Sequence, residues 1–324
     1  MIGPFTDFQR YLTAKVTVDD RALNKDVWAA LAQAVRPWRR RPLRVLEMGA
    51  GVATMAQRLW RWRLHPNILY TGVDVNPANI ANAGENLRAW AGEQGMSLLA
   101  TRNGFVLHTP DRQMTVSLVQ ADALTYARQP QQAGAWDLLI AHAFLDLVDV
   151  SAALPHLLAT LQPDGLCYFT LNFDGETVFE PVADEGYEAR LLALYHRSMD
   201  DRIIAGRPSG DSRAGRHLFG HLRRAGADVL AAGASDWVAF PHGDGYAGDE
   251  AYFLHFIIET VRRELRGHPE VGGAKLEAWA ATRHGQIDGG ELLYIAHQLD
   301  YLARKSRPAR TAPASPSNTS RARM

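Results

Sequence analysis

Val45-Leu46-Glu47-Met48-Gly49-Ala50-Gly51 is the stretch whose reading decides the fold of this chain. Arg44-Val45-Leu46 reads as a short strand running straight into the glycines, and Val52 to Arg63 reads as the helix that follows. Glycines at a strand-to-helix turn let the backbone approach a ligand closely, because no Cβ stands in the way. The next apolar run, Ile68 to Val75, reads as a second strand broken by Asn76-Pro77, and it places Asp74 about 23 residues past Gly51. In nucleotide-binding α/β folds an acidic residue about 20 residues on accepts from the ribose hydroxyls. A carboxylate suits that task because it accepts from two hydroxyls at once.

Outward from this unit, strands and helices alternate. A helix fits Ala78 to Trp90. Residues 98–120 read as a hairpin insertion leading into a core strand, with turns at Asn103-Gly104 and Pro110-Asp111. Then come strand Leu138 to Ala141, helix Val150 to Leu161, a Pro163-Asp164-Gly165 turn and strand Leu166 to Leu171. Leu138-Leu139-Ile140-Ala141 is a continuous apolar run, as expected of a parallel strand buried on both faces. The pattern predicts an α/β fold with a doubly wound, Rossmann-like sheet. Beyond it, helices fit Glu188 to Met199, Ala214 to Ala225, Ala251 to Leu265 and Leu276 to Arg283, and strands fit Val229 to Phe240 and Leu292 to Tyr301.

Residues 1–40 read as a helical N-terminal lid segment, with Val27, Leu31 and Val35 at helical spacing, Asp19 or Asp20 as a cap, and Pro37 as the stop. Residues 41–304 then form the main domain, with a helical insertion at about 245–290, and 305–324 form a disordered tail poor in apolar residues. The 324 residues carry 35 Lys plus Arg against 35 Asp plus Glu, so no basic excess points to nucleic acid. The single cysteine, Cys167, lies in an apolar run and reads as a buried, inert thiol; no disulfide or cysteine-rich zinc site is possible within the chain. No stretch approaches the about 20 apolar residues of a membrane span, and MIGPFTDFQRYL lacks the pattern of a signal peptide. The expectation is a cytoplasmic protein.

Glu47 separates classes of cofactor. A carboxylate at the turn repels a pyrophosphate and suits a ligand with an ammonium and a sulfonium. The glycine pattern also departs from the dinucleotide fingerprint, since Thr54 stands where its third glycine would be. The stretch Val45 to Gly51 resembles the first motif of class I S-adenosylmethionine-dependent methyltransferases. Val73-Asp74-Val75-Asn76 is similar to the second motif, Gln120-Ala121-Asp122-Ala123 to the acidic motif that meets adenine, Trp136 to His142 to the fourth strand, and Pro163 to Leu166 to the turn into the fifth. Five pieces in the right order over roughly residues 43–171 carry the resemblance. It implies a seven-stranded sheet, S-adenosyl-L-methionine as cofactor, and a cofactor set of Glu47, Gly49, Ala50, Gly51, Asp74, Val75, Asp122, Ala123 and His142. The local alternatives are a strand-end cap for Asp74 and a solvated helix cap for Asp122.

The acceptor is less sharply drawn. Ala141-His142-Ala143-Phe144 is not the Asn/Asp-Pro-Pro-aromatic signature of enzymes that methylate amide or base nitrogens, and no metal-ligand spacing is present. A small-molecule acceptor over the C-terminal strand ends is expected. His142 is the candidate base or orienting group. Candidate substrate residues are Tyr11 in the N-terminal helical region, Asn172 and Glu176 in a loop after the fifth strand, Arg216 and His217 at a Gly-rich helix start suited to an anion, and His255 on a helix of the insertion. The bland readings are, in turn, a packed residue beside the cofactor, a solvated loop, a helix cap and a core stripe. His297, inside an apolar strand, reads as a satisfied core histidine. Two other functions stay open: an aminopropyltransferase, for which Asp146 and Asp149 are near the fourth strand, and a non-catalytic cofactor-binding or scaffold protein.

Overall fold

The computed structural model describes residues 5–101, 104–204, 206–243 and 245–306. Asn103 and residues 307–324 of the expected tail lie outside them. The chain opens with three helices, α1 (Phe8–Ala14), α2 (Val16–Ala22) and α3 (Lys25–Ala34). Asp7 caps α1 by accepting from the Arg10 amide at 3.0 Å, and Asn24 caps α3 by accepting from Asp26 and Val27. The expected caps Asp19 and Asp20 instead lie inside α2, and both point at Arg58. Arg36–Trp38 forms one 3-10 turn after α3.

Next come β1 (Leu43–Met48), α4 (Thr54–Arg61), β2 (Asn67–Asp74) and α5 (Pro77–Glu93). The hairpin β3 (Ser97–Thr101) and β4 (Gly104–Thr109) leads into β5 (Arg112–Gln120), followed by α6 (Ala123–Ala127), β6 (Trp136–His142), α7 (Val150–Ala159) and β7 (Leu161–Glu180). Then follow α8 (Glu185–Asp200), the two-residue strands β8 (Ile203–Ile204) and β9 (Arg207–Pro208), α9 (Ala214–Arg224), β10 (Ala227–Ala234), β11 (Trp237–Ala239), α10 (Glu250–Leu265), α11 (Gly273–Asp288) and β12 (Leu293–Lys305).

The main sheet runs β10-β12-β7-β6-β1-β2-β5-β4-β3, with β11 paired to β12. Its five central strands, β7-β6-β1-β2-β5, are parallel, whereas β12 lies antiparallel to both β7 and β10. This is the doubly wound sheet expected from the sequence, with ten strands rather than seven because the β3–β4 hairpin widens one edge and β11 adds a short strand at the other. Alternation sorts the side chains of each central strand to two faces. Val45, Leu138 and Ile140 join one core, with α4, α5 and α10; Leu46, Leu139 and Ala141 join the other, with α7 and α9. A strand so placed is apolar along its centre, which is why Leu138 to Ala141 of β6 shows no alternation.

Three boundaries differ from the expectations. Asn172 to Thr177 is not a loop: β7 continues to Glu180 because β12 runs alongside it, pairing Asn172 with Leu299 and Thr177 with Ala296. The left-handed backbone at Leu171 and Gly175 bends the strand without ending it. Val229 to Phe240 is two strands, because Ser235 and Asp236 turn away to bond Gln298 and His297. Lys305 is the last residue of β12, and its ammonium bonds the Leu161 carbonyl at 2.6 Å.

Candidate cofactor site

The chain runs from β1 outward to β2 and β5, then returns to place β6 on the other side of β1. In open α/β sheets ligands bind at such a reversal, outside the carboxyl ends of the strands. The glycine turn and His142 stand at the ends of these two strands. Gly49, Gly51 and Ala53 all have left-handed backbone, with φ of 68°, 53° and 59°. Two long-range bonds hold the turn: the Ala50 amide donates to the Val73 carbonyl at 3.0 Å and the Gly51 amide to Asp74 Oδ2 at 2.8 Å. Asp74 Oδ1 accepts from the Asn76 amide at 2.9 Å and from Asn79 Nδ2 at 3.1 Å. Asp74 therefore ties the glycine turn to the start of α5. Three of about four lone-pair positions on its carboxylate are used.

The neighbouring strand ends bring the other expected residues to the same edge. Val75 is two-thirds exposed. Asp122 caps α6, accepting from the Thr125 amide at 2.8 Å, and the Ala121 amide bonds the Asp74 carbonyl, so Asp122 and Ala123 lie beside the end of β2. Glu47 departs from its expected role. It is buried beneath the turn and accepts a hydrogen bond from the Tyr70 hydroxyl. Burial pushes its carboxyl up to about 8, against the opposing effects of Tyr70 and Arg58. A neutral acid facing the core does not discriminate between cofactors by charge as the sequence reading supposed.

The space over the glycines is lined by this chain itself. A Cβ built on Gly49 would clash with the Cδ2 edge of the Phe144 ring, and one on Gly51 would stand 3.3 Å from Leu12 Cδ1 of α1. Beside them lies a buried polar network that includes His142. Its Nδ1 is 2.8 Å from the Thr170 hydroxyl, and its Nε2 is 3.1 Å from both Arg58 Nη1 and Asp19 Oδ2. Lys15 donates to Asp19 Oδ2 at 2.7 Å, Trp237 Nε1 to Asp19 Oδ1 at 2.8 Å, and the fully buried Arg58 pairs with Asp20 at 2.6 Å. Burial pushes the His142 imidazole down to about 4, with Asp19 opposing and Arg58 adding to the effect. Burial would raise Asp19, but Lys15, His142 and Arg58 outweigh it and hold the carboxyl well below its usual range. His142 is thus a neutral imidazole at pH 7, fixed through Nδ1 by Thr170 and through Nε2 by Asp19 or Arg58, according to its tautomer.

The expected substrate residues do not assemble. Tyr11 stacks on Phe256 of α10 at 4.2 Å and faces inward. Asn172 is buried and donates to the Leu299 carbonyl, while Glu176 is exposed. Arg216 is already committed to Asp174, through its amide at 2.7 Å, its Nε at 2.9 Å and a bond to the carbonyl. The start of α9 thus carries its own anion, and the anionic-acceptor expectation loses the residues it rested on. His217 pairs with Asp211 on the surface. His255 belongs to a separate cluster between α10 and α11: its Nδ1 is 2.7 Å from His284 Nδ1, and Phe5 stacks on its ring at 4.1 Å. His297 is half-buried and pairs with Asp236 at 2.7 Å. Asp149 caps α7, whereas Asp146 in the turn after β6 keeps a buried, unbonded Oδ1.

Arg58, Thr170 and Trp237 carried no signal in the sequence. Lys15 and Asp19 did: a Lys–Asp pair four residues apart on a helix is a readable contact.

No protein-family model matches the chain, and no curated protein matches it in sequence. Solved structures do match in shape. The C-methyltransferase domain of the citrinin polyketide synthase matches at 15% identity and a TM-score of 0.44, covering 92% of this chain and 57% of that one. A phosphoethanolamine N-methyltransferase from Haemonchus contortus matches at 10% identity and 0.42, covering 93% and 58%. Geranyl diphosphate C-methyltransferase from Streptomyces coelicolor, solved with S-adenosylhomocysteine, matches at 8% and 0.40, covering 86% and 81%. These identities and scores are too low to assign an activity. Among the described residues no group of three His, Cys, Asp or Glu could hold a metal ion, and no helix is long and apolar enough to cross a membrane.

Proposed function

We propose that the chain is an S-adenosylmethionine-dependent methyltransferase acting on a small molecule. One observation carries the reading: the left-handed turn Gly49–Gly51, bonded to Asp74, stands where the strand order reverses. In this reading Gly49, Ala50 and Gly51 let the cofactor approach the backbone, Asp74 accepts from the ribose, and Asp122 and Ala123 flank the adenine. The bound cofactor supplies a methyl group on a sulfonium, open to in-line attack. The protein's share is alignment and exclusion of water. The N-terminal helices serve exclusion, since Leu12 of α1 lies against Gly51 of the turn. His142 positions the floor of the site and is not the base, because Nδ1 faces Thr170 and Nε2 serves either Asp19 as a donor or Arg58 as an acceptor, which leaves no nitrogen for substrate in this arrangement.

A second reading, a non-catalytic scaffold, is favoured by the same packing: Leu12 and Phe144 sit against the two glycines that a cofactor would touch. Calorimetric titration with S-adenosylhomocysteine decides between them. The wild type should bind, and Asp74→Ala should lose roughly ten- to hundredfold, about 1.5–3 kcal/mol, with its fold checked by circular dichroism. A folded wild type that takes up no S-adenosylhomocysteine overturns the transferase reading and leaves the scaffold.

A further inference from the structure

We infer that the end of the sheet opposite the cofactor site is a docking surface for an anionic lipid bilayer. Two separate stretches of sequence concentrate positive charge. Residues 36–44 hold five arginines and no acid, and residues 304–324 hold five arginines, a lysine and no acid. The fold brings the two to one place. Residues 36–42 lead into the start of β1, and the Arg44 guanidinium donates to Gln162 Oε1 at 3.1 Å, near the start of β7. Because β12 runs antiparallel to β7, it ends where β7 begins, and Lys305 Nζ donates to the adjacent Leu161 carbonyl at 2.6 Å. In the sheet β12 and β1 are three strand spacings apart, about 15 Å. Arg307, Arg310, Arg321 and Arg323 follow in the sequence, beyond the described residues.

Little of this charge is neutralised within the chain. Arg41 and Arg44 share one buried carboxylate, Asp137, at 2.6 and 2.7 Å. Arg36, Arg39 and Arg40 are exposed and make no ion pair among the described residues. Asp164 and Asp228 stand at the same end and offset part of the excess, Asp228 opposite Arg304. The excess that remains is positive, on a chain whose total charge is zero. Trp38, the single aromatic of the first stretch, is half-buried with Arg41 Cζ 5.4 Å over its ring, so it offers no free face on which a nucleic-acid base could stack. Arg41 also lines an open groove of about 280 Å³, with Pro42, Arg44, Leu69 and Gln162, in which Pro42 and Leu69 are exposed. Arginines beside exposed apolar groups match the boundary of a bilayer, where anionic head groups meet hydrocarbon. The chain's own basic C-terminal stretch is repelled by the same charges. Docking at this end leaves the carboxyl ends of the parallel strands facing away from the lipid, so the inference goes beyond the transferase reading and does not depend on it.

Co-sedimentation of the full-length protein with phosphatidylcholine vesicles, made with and without phosphatidylserine, tests the surface. The protein should sediment with the phosphatidylserine vesicles alone, and added salt should release it. Arg36→Ala, Arg39→Ala and Arg40→Ala in one chain should weaken that binding about tenfold, since each arginine near an anionic surface contributes roughly fivefold and salt screens part of it. Equal sedimentation with both vesicles, sedimentation with neither, or a triple variant that is folded by circular dichroism and binds as the wild type does overturns the inference. So does a preference for polyuridylate or polyglutamate over the phosphatidylserine vesicles in competition, which would mark the surface as one for nucleic acid or for an acidic protein. The vesicle comparison needs only the wild type, so it decides even where the variant fails to fold.

Discussion

Replacing Glu47 by glutamine should make the protein more stable at neutral pH, by an amount that depends on pH in a defined way. Glu47 is 1% exposed, and burial pushes its carboxyl from 4.5 to about 8. The folded chain therefore holds a proton there that the unfolded chain releases above its ordinary value. Below about pH 4.5 both states are protonated and the group contributes no pH dependence. As pH rises from there toward 8 the unfolded state gains the advantage, and stability falls by about 1.4 kcal/mol per unit. Between about pH 5 and about pH 7.5 the loss is about 3 kcal/mol. Glutamine has no proton to lose and still offers an oxygen to the Tyr70 hydroxyl. His142, pushed down to about 4, acts with the opposite sign: its contribution is lost as pH falls through 6.5 toward 4. That effect is common to both proteins and cancels in their difference. Urea unfolding of wild type and Glu47→Gln at the two pH values, followed by tryptophan fluorescence, measures it. The stability difference should shift by about 3 kcal/mol in favour of the variant at the higher pH. An equal difference at both pH values, or a gain largest in acid, would refute a protonated Glu47.

Three further outcomes are expected. Asp19→Asn leaves Lys15 and the buried Arg58 with one carboxylate fewer, and should cost about 3 kcal/mol in urea unfolding; a loss below about 1 kcal/mol would mean that the network is not held by charge. Leu12→Ala removes the side chain that lies against Gly51, and should strengthen S-adenosylhomocysteine binding roughly fivefold, about 1 kcal/mol; unchanged or weaker binding would show that Leu12 does not stand in the cofactor's way. Cys167 is fully buried with its thiol pushed up by burial, so a colourimetric thiol reagent should label it only in denaturant; rapid labelling of native protein would contradict its placement in the sheet.

Local signals were the ones that the sequence carried well. The turn at Gly49–Gly51, the acid at the end of β2 and the unbroken apolar run of β6 each record a demand made within a few residues: a left-handed backbone, a strand terminus, burial on both faces. Their order along the chain was enough for a doubly wound sheet. What the sequence alone did not determine lies in contacts between distant segments. Asp19 reaches His142 across 123 residues and Trp237 across 218, and helical periodicity says only that Asp19 is on a helix. Arg216 read as a free anion ligand because nothing near it in sequence shows that Asp174, 42 residues earlier, already holds it. Asn172 to Thr177 read as a loop because the backbone pairing that makes it a strand comes from β12, which forms more than 100 residues later. A polar residue in a sequence states that it needs a partner; only the tertiary structure decides whether that partner is water, a ligand or another part of the same chain, because burial is a property of the packed molecule and not of the segment.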